Sequence, residues 1–287
     1  MTAPTLTGLP RTVLRLHRPA LLTWGVFVAG MCGWLVWLTK VTAKGRGPQG
    51  LPCLGACGQS YGLFGFATEL EWASTLIGYC FVGVAGFAGG ALIGRELESG
   101  TAWLAWTQGV TPVRWLAAKL ALPAAAITVG GTILVLVFRW AFAAHADPVW
   151  APAWSSAAVF AARGPLLVAY ALCALAVGTL TGLLLGRALA ALGTAAGAMW
   201  LFGSVLTYYR PDLWPTDTRT GPEAFDLPDD YWVVDEGSNA HGRFAAYHPA
   251  SHFWPLHLTE TAIVLAVAVL AVLCSFRVLK GRPAAPA

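Results

Sequence analysis

Arg95, Glu96 and Glu98 place charges of both signs within four residues, and Gly100 and Thr101 follow them with a backbone break and a residue able to cap a new helix. The chemistry such a cluster supports is oriented, charge-assisted contact with a soluble partner. Thr107, Gln108, Thr111, Arg114 and Lys119 continue the polar character, and Pro112 punctuates the far end. The plainer alternative is a solvated turn that needs charge only to stay out of lipid.

Other reactive residue types are sparse. Cys53 and Cys57 lie four apart in a glycine-rich stretch and are a possible disulfide, with two free thiols or metal ligands as alternatives. Cys32, Cys80, Cys173 and Cys274 fall in apolar runs and read as small packing residues. His248 and His252 stand one helical turn apart, with His241 and His257 nearby, but Pro249 and the lack of a close carboxylate pattern argue against a metal site. Glu260 is read as an interfacial side chain reaching toward water in preference to a proton relay. None of the four lysines follows a glycine, so the phosphate loop GxxxxGK[ST] is missing; no histidine precedes a glutamate, so HExxH is missing too. No catalytic residue, metal or cofactor is expected.

The elements that position these residues follow from composition. With 57% hydrophobic and 11% charged residues, the chain reads as a polytopic membrane protein. Apolar runs of about 20 residues lie at about 20–38, 72–94, 120–138, 164–186, 188–209 and 256–276, the last containing Glu260 near its start. Lipid requires internally bonded backbone, and the runs lack period-2 alternation, so each is predicted to be a helix and the fold class all-α, a six-helix transmembrane bundle. Only Gly186 and Arg187 separate the fourth and fifth runs, which must fold back as a tight hairpin. Domain organisation is an amphipathic interfacial helix over 1–19, a six-span domain over 20–279 and a tail over 280–287. The basic flank of the first run resembles a secretory signal, but the run continues to Leu38 without a small-residue cleavage site and is read as an uncleaved anchor.

Lysine and arginine near the span ends set orientation. With both termini cytoplasmic, ten of them lie inside against eight outside, and eleven of the fourteen acidic residues lie outside. The net charge of +4 then marks orientation, not nucleic-acid binding. Arg11, Arg15 and Arg18 form a basic face suited to anionic lipid, or simply a topogenic flank. Glycines at a spacing of four (Gly86, Gly90 and Gly94; Gly178, Gly182 and Gly186; Gly193 and Gly197) make stripes for close helix packing, within the chain or between subunits. Residues 39–71 and 210–255 are then exterior segments. The second is acidic and proline-punctuated, and its Trp214, Trp232, Phe253 and Trp254 are read as an interfacial belt in preference to a cap.

The Arg95-Glu96-x-Glu98-x-Gly100-Thr101 pattern after the second span resembles the cytoplasmic loop of permease subunits of type-2 ABC exporters. The amphipathic start, six spans and the PASHFWPLHLTE re-entry into the last span extend the likeness over most of the chain. The resemblance implies a transport permease in a multi-pass cell-membrane setting. It implies ATPase-coupling residues Arg95, Glu96, Glu98, Gly100, Thr101, Gln108 and Arg114, ATP hydrolysis on a separate ABC ATPase subunit, and a second permease copy or paralogue. The long exterior segment before the last span departs from the short re-entrant helices of many members. A membrane regulatory or sensor subunit that docks an ATPase without transporting is the alternative. Few polar residues line the spans, which favours an apolar or amphiphilic cargo over a compact ion.

Overall fold

Four of the six runs become helices of 28 to 34 residues, longer than the hydrocarbon layer requires, because a helix bonds its own backbone in water as well as in lipid. The computed structural model describes residues 8–41, 57–144, 153–228, 230–239 and 242–281, and for 8–17, 41, 57–66 and 239 the backbone alone. Cys53 lies outside the described residues and the Cys57 side chain does too, as does His241. Among the described residues, six helices are long and apolar enough to cross a membrane.

Helix α1 spans Gly8–Val41 with Pro19 inside, so from Gly8 the expected interfacial segment is continuous with the first span. Helix α2 spans Cys57–Phe87, runs through a π-helical turn at Ala88–Gly94 and ends in α3 (Arg95–Glu98). The second part of the expected exterior loop 39–71 is therefore helical. After α4 (Thr101–Thr107) comes α5 (Pro112–Ala143), which absorbs Arg114 and Lys119. A short α6 (Ala157–Ala162) precedes α7 (Leu166–Leu185), and α8 (Ala188–Tyr209) follows a turn in which Gly186 takes φ +59°. Helix α9 (Phe253–Lys280) closes the bundle.

Helix α7 is the centre of the bundle and is buried over most of its length, packed on α2, α5, α8 and α9. Its close approach to α2 is a backbone contact. A Cβ on Gly178 would stand 2.5 Å from the Ala85 carbonyl oxygen, and one on Gly182 would stand 2.8 Å from that of Gly89. Gly90 and Gly94 make room in the same way for Leu192 and Ala188 of α8. Gly90, Gly94, Gly178 and Gly182 therefore serve packing within the chain, whereas Gly186, Gly193 and Gly197 face open space.

The start of α1 and the end of α9 lie on one side of the bundle. The Trp24 indole N–H donates to the Ala126 carbonyl at 2.9 Å, and the Lys40 ammonium lies 5.6 Å from the Trp140 ring centroid, so α1 runs parallel to α5. Leu279 at the end of α9 packs with Leu97, Trp115 and Leu116. The start of α1, the 95–111 loop, the α7–α8 turn and the end of α9 thus share what is here termed the loop end.

At the opposite, cap end, the segment read as a long exterior stretch folds as a three-stranded antiparallel sheet, an addition to the helical class. Its strands β1 (Asp217–Thr220), β2 (Trp232–Asn239) and β3 (Gly242–His248) run in the order β1-β3-β2, with a bulge between Val233 and Asp235. Trp232 and Phe253 do not form the expected belt; both rings meet Trp154 edge-on at 5.8 and 6.1 Å, and the Trp154 N–H donates to the Asp230 carbonyl at 2.6 Å. Trp214 and Trp254 stay partly exposed.

His248 pins this cap. It is fully buried, its Nε2 lies 3.0 Å from the Pro211 carbonyl and its Nδ1 lies 3.1 Å from His252 Nδ1. A carbonyl only accepts, so Nε2 carries the hydrogen and His248 Nδ1 accepts from His252. Burial lowers the His248 pKa below its ordinary 6.5, with a further push down from His252, against pulls upward from the Pro211 carbonyl and Asp217. A depressed histidine pKa means that the unfolded chain takes up the proton first. The cap is therefore most stable above the ordinary histidine value and loosens as the pH falls below it. Hydrogen exchange of β3, corrected for intrinsic rates, should speed up several-fold between pH 7 and 5 and lose that dependence in His248→Gln; equal protection at both pH values would remove this role.

Candidate functional site

The loop between the second and third spans is built from two forced turns. At the end of α2 the Arg95 N–H bonds to the Gly90 carbonyl, the five-residue step of a π turn. Gly100 then takes φ +74° and Gly109 φ +89°, conformations that a side chain would strain. Between them α4 forms. Gly100, not Thr101, occupies its cap position, and the Thr101 hydroxyl instead donates back to the Glu96 carbonyl at 3.3 Å, closing the turn. Thr111 caps α5, its hydroxyl accepting from the Arg114 N–H at 3.4 Å, with Pro112 at the first helical position.

The two carboxylates bond back to other spans, Glu96 half-buried and Glu98 at the exposed surface. Glu96 forms an ion pair with the buried Lys119 of α5 and accepts from the Trp115 indole N–H at 3.2 Å. Glu98 accepts from the Ala188 backbone N–H at 2.8 Å, which places a negative charge on the first free amide of α8. Three tryptophans complete the brace: Trp103 meets Trp106 at 4.7 Å and Trp106 meets Trp115 at 5.6 Å, both edge to face. The second, third and fifth spans are tied together at this one place.

Of the residues singled out in the sequence, the structure brings Glu96 to Lys119 and Glu98 to the start of α8, with Arg95, Glu98, Thr101, Gln108 and Arg114 all exposed. The carboxylates expected to offer oriented contacts to a soluble partner thus already serve contacts within the chain. What faces solvent is one side of α4, where Thr101, Leu104 and Gln108 recur at helical spacing and Leu104 is 59% exposed. Trp103, Leu104 and Trp115 went unread in the sequence. Their signal was there in the tryptophan spacing and in two opposite charges, Glu96 and Lys119, at the facing ends of two spans.

A second polar cluster lies near the cap end. Glu260 is fully buried, correcting its reading as a side chain that reaches to water. The Arg210 guanidinium binds it with two bonds of 2.7 and 3.1 Å, and the Tyr170 hydroxyl donates to it at 2.8 Å. The Arg210 cation also lies 4.3 Å from the Phe160 ring centroid. Beside it, His257 accepts from the Leu166 N–H at 3.2 Å and so caps α7 from α9. The cluster joins the ends of α7, α8 and α9. Among the described residues no group of three or more His, Cys, Asp or Glu is placed to hold a metal ion.

Comparison with curated proteins and with solved structures brings no match. A family profile described as ABC-2 membrane transporter related matches residues 25–210, more than half of the chain, from the first span through the loop and the brace to Arg210. The chain therefore belongs to the ABC-2 membrane transporter related family.

Proposed function

We propose that this multi-pass membrane protein is the permease subunit of an ATP-driven exporter, with hydrolysis on a separate ABC ATPase that docks on α4 from the cytoplasm. The observation that carries the reading is the brace. A docking helix fixed through Glu96, Lys119 and Trp115 to α5, and through Glu98 to α8, moves three spans when it is displaced, whereas a solvated turn needs no such ties. Leu104, exposed at the centre of the free face, supplies the apolar anchor of a docking surface. Cytoplasmic termini follow from the same assignment, since the loop, the start of α1 and the end of α9 share one side and the charge count supports that side being the interior.

Purification from native membranes tests the reading. An ABC ATPase is expected to accompany the intact chain, Leu104→Asp to lower its recovery about tenfold or more, and Glu96→Gln to keep the complex while slowing ATP-driven flux. Absence of any ATPase would end the permease assignment. Assembly with no flux of any compound would select the sensor reading instead.

A further inference from the structure

Helices α5 and α9 both rest on α7 but touch each other little, and between them an apolar groove of about 460 Å³ stays open, in the size range of small-molecule sites. Small residues hold it open: Ala117, Ala121 and Ala124 on α5, with Ala176 on the α7 floor. The α9 wall runs from Leu265 to Phe276, about 17 Å at 1.5 Å per residue, a little over half of the hydrocarbon layer. The groove therefore spans one leaflet, the one at the loop end.

Each wall ends in a cation on the groove face. Ala124, Ala121 and Ala117 step back by three and four residues, and the next residue on that face is the exposed Arg114. Val269, Val272 and Phe276 step forward in the same way to the exposed Lys280. No ion pair of either cation occurs among the described residues, and the nearby Glu96 is already held by Lys119. A spanning helix of a second copy would fill the groove but leave both cations unmatched. A soluble partner would match the cations without reaching the apolar floor.

We infer that the groove binds one acyl chain of an anionic phospholipid from the surrounding bilayer, its phosphate lying between Arg114 and Lys280. Arg114, grouped with the docking residues by resemblance, then serves the lipid. In the orientation proposed above, the lipid belongs to the cytoplasmic leaflet.

The full chain, reconstituted in phosphatidylcholine vesicles, is exposed to a trace of phosphatidylglycerol or phosphatidylcholine bearing the same photoreactive acyl chain, and the labelled peptides are mapped. Phosphatidylglycerol should label α5 around Ala121 and α9 around Val269 about fivefold or more above phosphatidylcholine, and above the lipid-facing Leu22 and Val26 of α1. Arg114→Gln with Lys280→Gln should abolish that preference. Arg187→Gln, which removes another exposed cation at the loop end, should keep it. Ala121→Phe should suppress labelling with either headgroup. Equal labelling by the two lipids, groove labelling no higher than on α1, or an equal loss in Arg187→Gln would each overturn the assignment, the last by reducing it to general surface attraction.

Discussion

Glu260→Leu will destabilise the bundle by about 3–5 kcal/mol, the cost of leaving a buried cation without its partner. Arg210 is only 2% exposed, and with the carboxylate gone its guanidinium keeps Thr207 at 3.4 Å and the Phe160 ring, neither of which carries charge. Tyr170 loses its acceptor in the same step. Arg210→Met is expected to be as harmful, since it strands the carboxylate instead. The double replacement Arg210→Met with Glu260→Leu should recover most of the loss, because two apolar side chains of similar volume leave no charge to desolvate. Unfolding of the purified chain in mixed micelles measures all three variants. A double variant as unstable as the sum of the singles would show that the pair does not act as a unit.

Gly178→Leu should cost nearly as much, by a different route. Even the first carbon of a side chain there would meet the Ala85 carbonyl oxygen at 2.5 Å, the Ala88 Cβ at 2.8 Å and the Gly89 amide nitrogen at 3.0 Å. None of these atoms is the end of a flexible side chain, so α7 and α2 must separate along their whole contact. Overpacking of this kind costs about 1–3 kcal/mol and at times more. Gly197→Ala is the matched control: nothing stands within 4 Å of its added carbon, and its stability should equal or slightly exceed the parent's. Loss of thermal stability in the control as large as in Gly178→Leu would refute the packing argument.

The spans could be read from sequence because the bilayer penalises charge over a fixed length, and the Gly186-Arg187 hairpin because two residues leave no other way to turn. Helix ends were less legible. Glu69 and Glu71 look like loop residues, but a helix emerging into water tolerates charge, so composition does not mark where α2 begins. Glu260 was misread for a related reason. A lone carboxylate near a span end looks solvated until its partner is known, and Arg210 is 50 residues away across a sheet that its turn-rich sequence did not reveal. Loop residues Arg95 to Thr101 were read as a unit, but which of them bond back to the bundle depends on Lys119, Trp115 and Ala188, 19 to 90 residues further along the chain.

The π turn at Ala88–Gly94 sets the angular phase of the loop. An α-helix advances about 100° per residue, and a turn holding one residue more than usual shifts everything after it by about that angle. The direction in which Glu96 and Glu98 leave the helix is thus not the one that counting forward from Trp72 through Phe87 would give. In an uninterrupted α-helix the two carboxylates would point elsewhere around the axis, away from Lys119 and from the start of α8. The extra residue works as an index mark between the membrane part of α2, keyed to the glycines of α7, and its emerging end, keyed to two other spans.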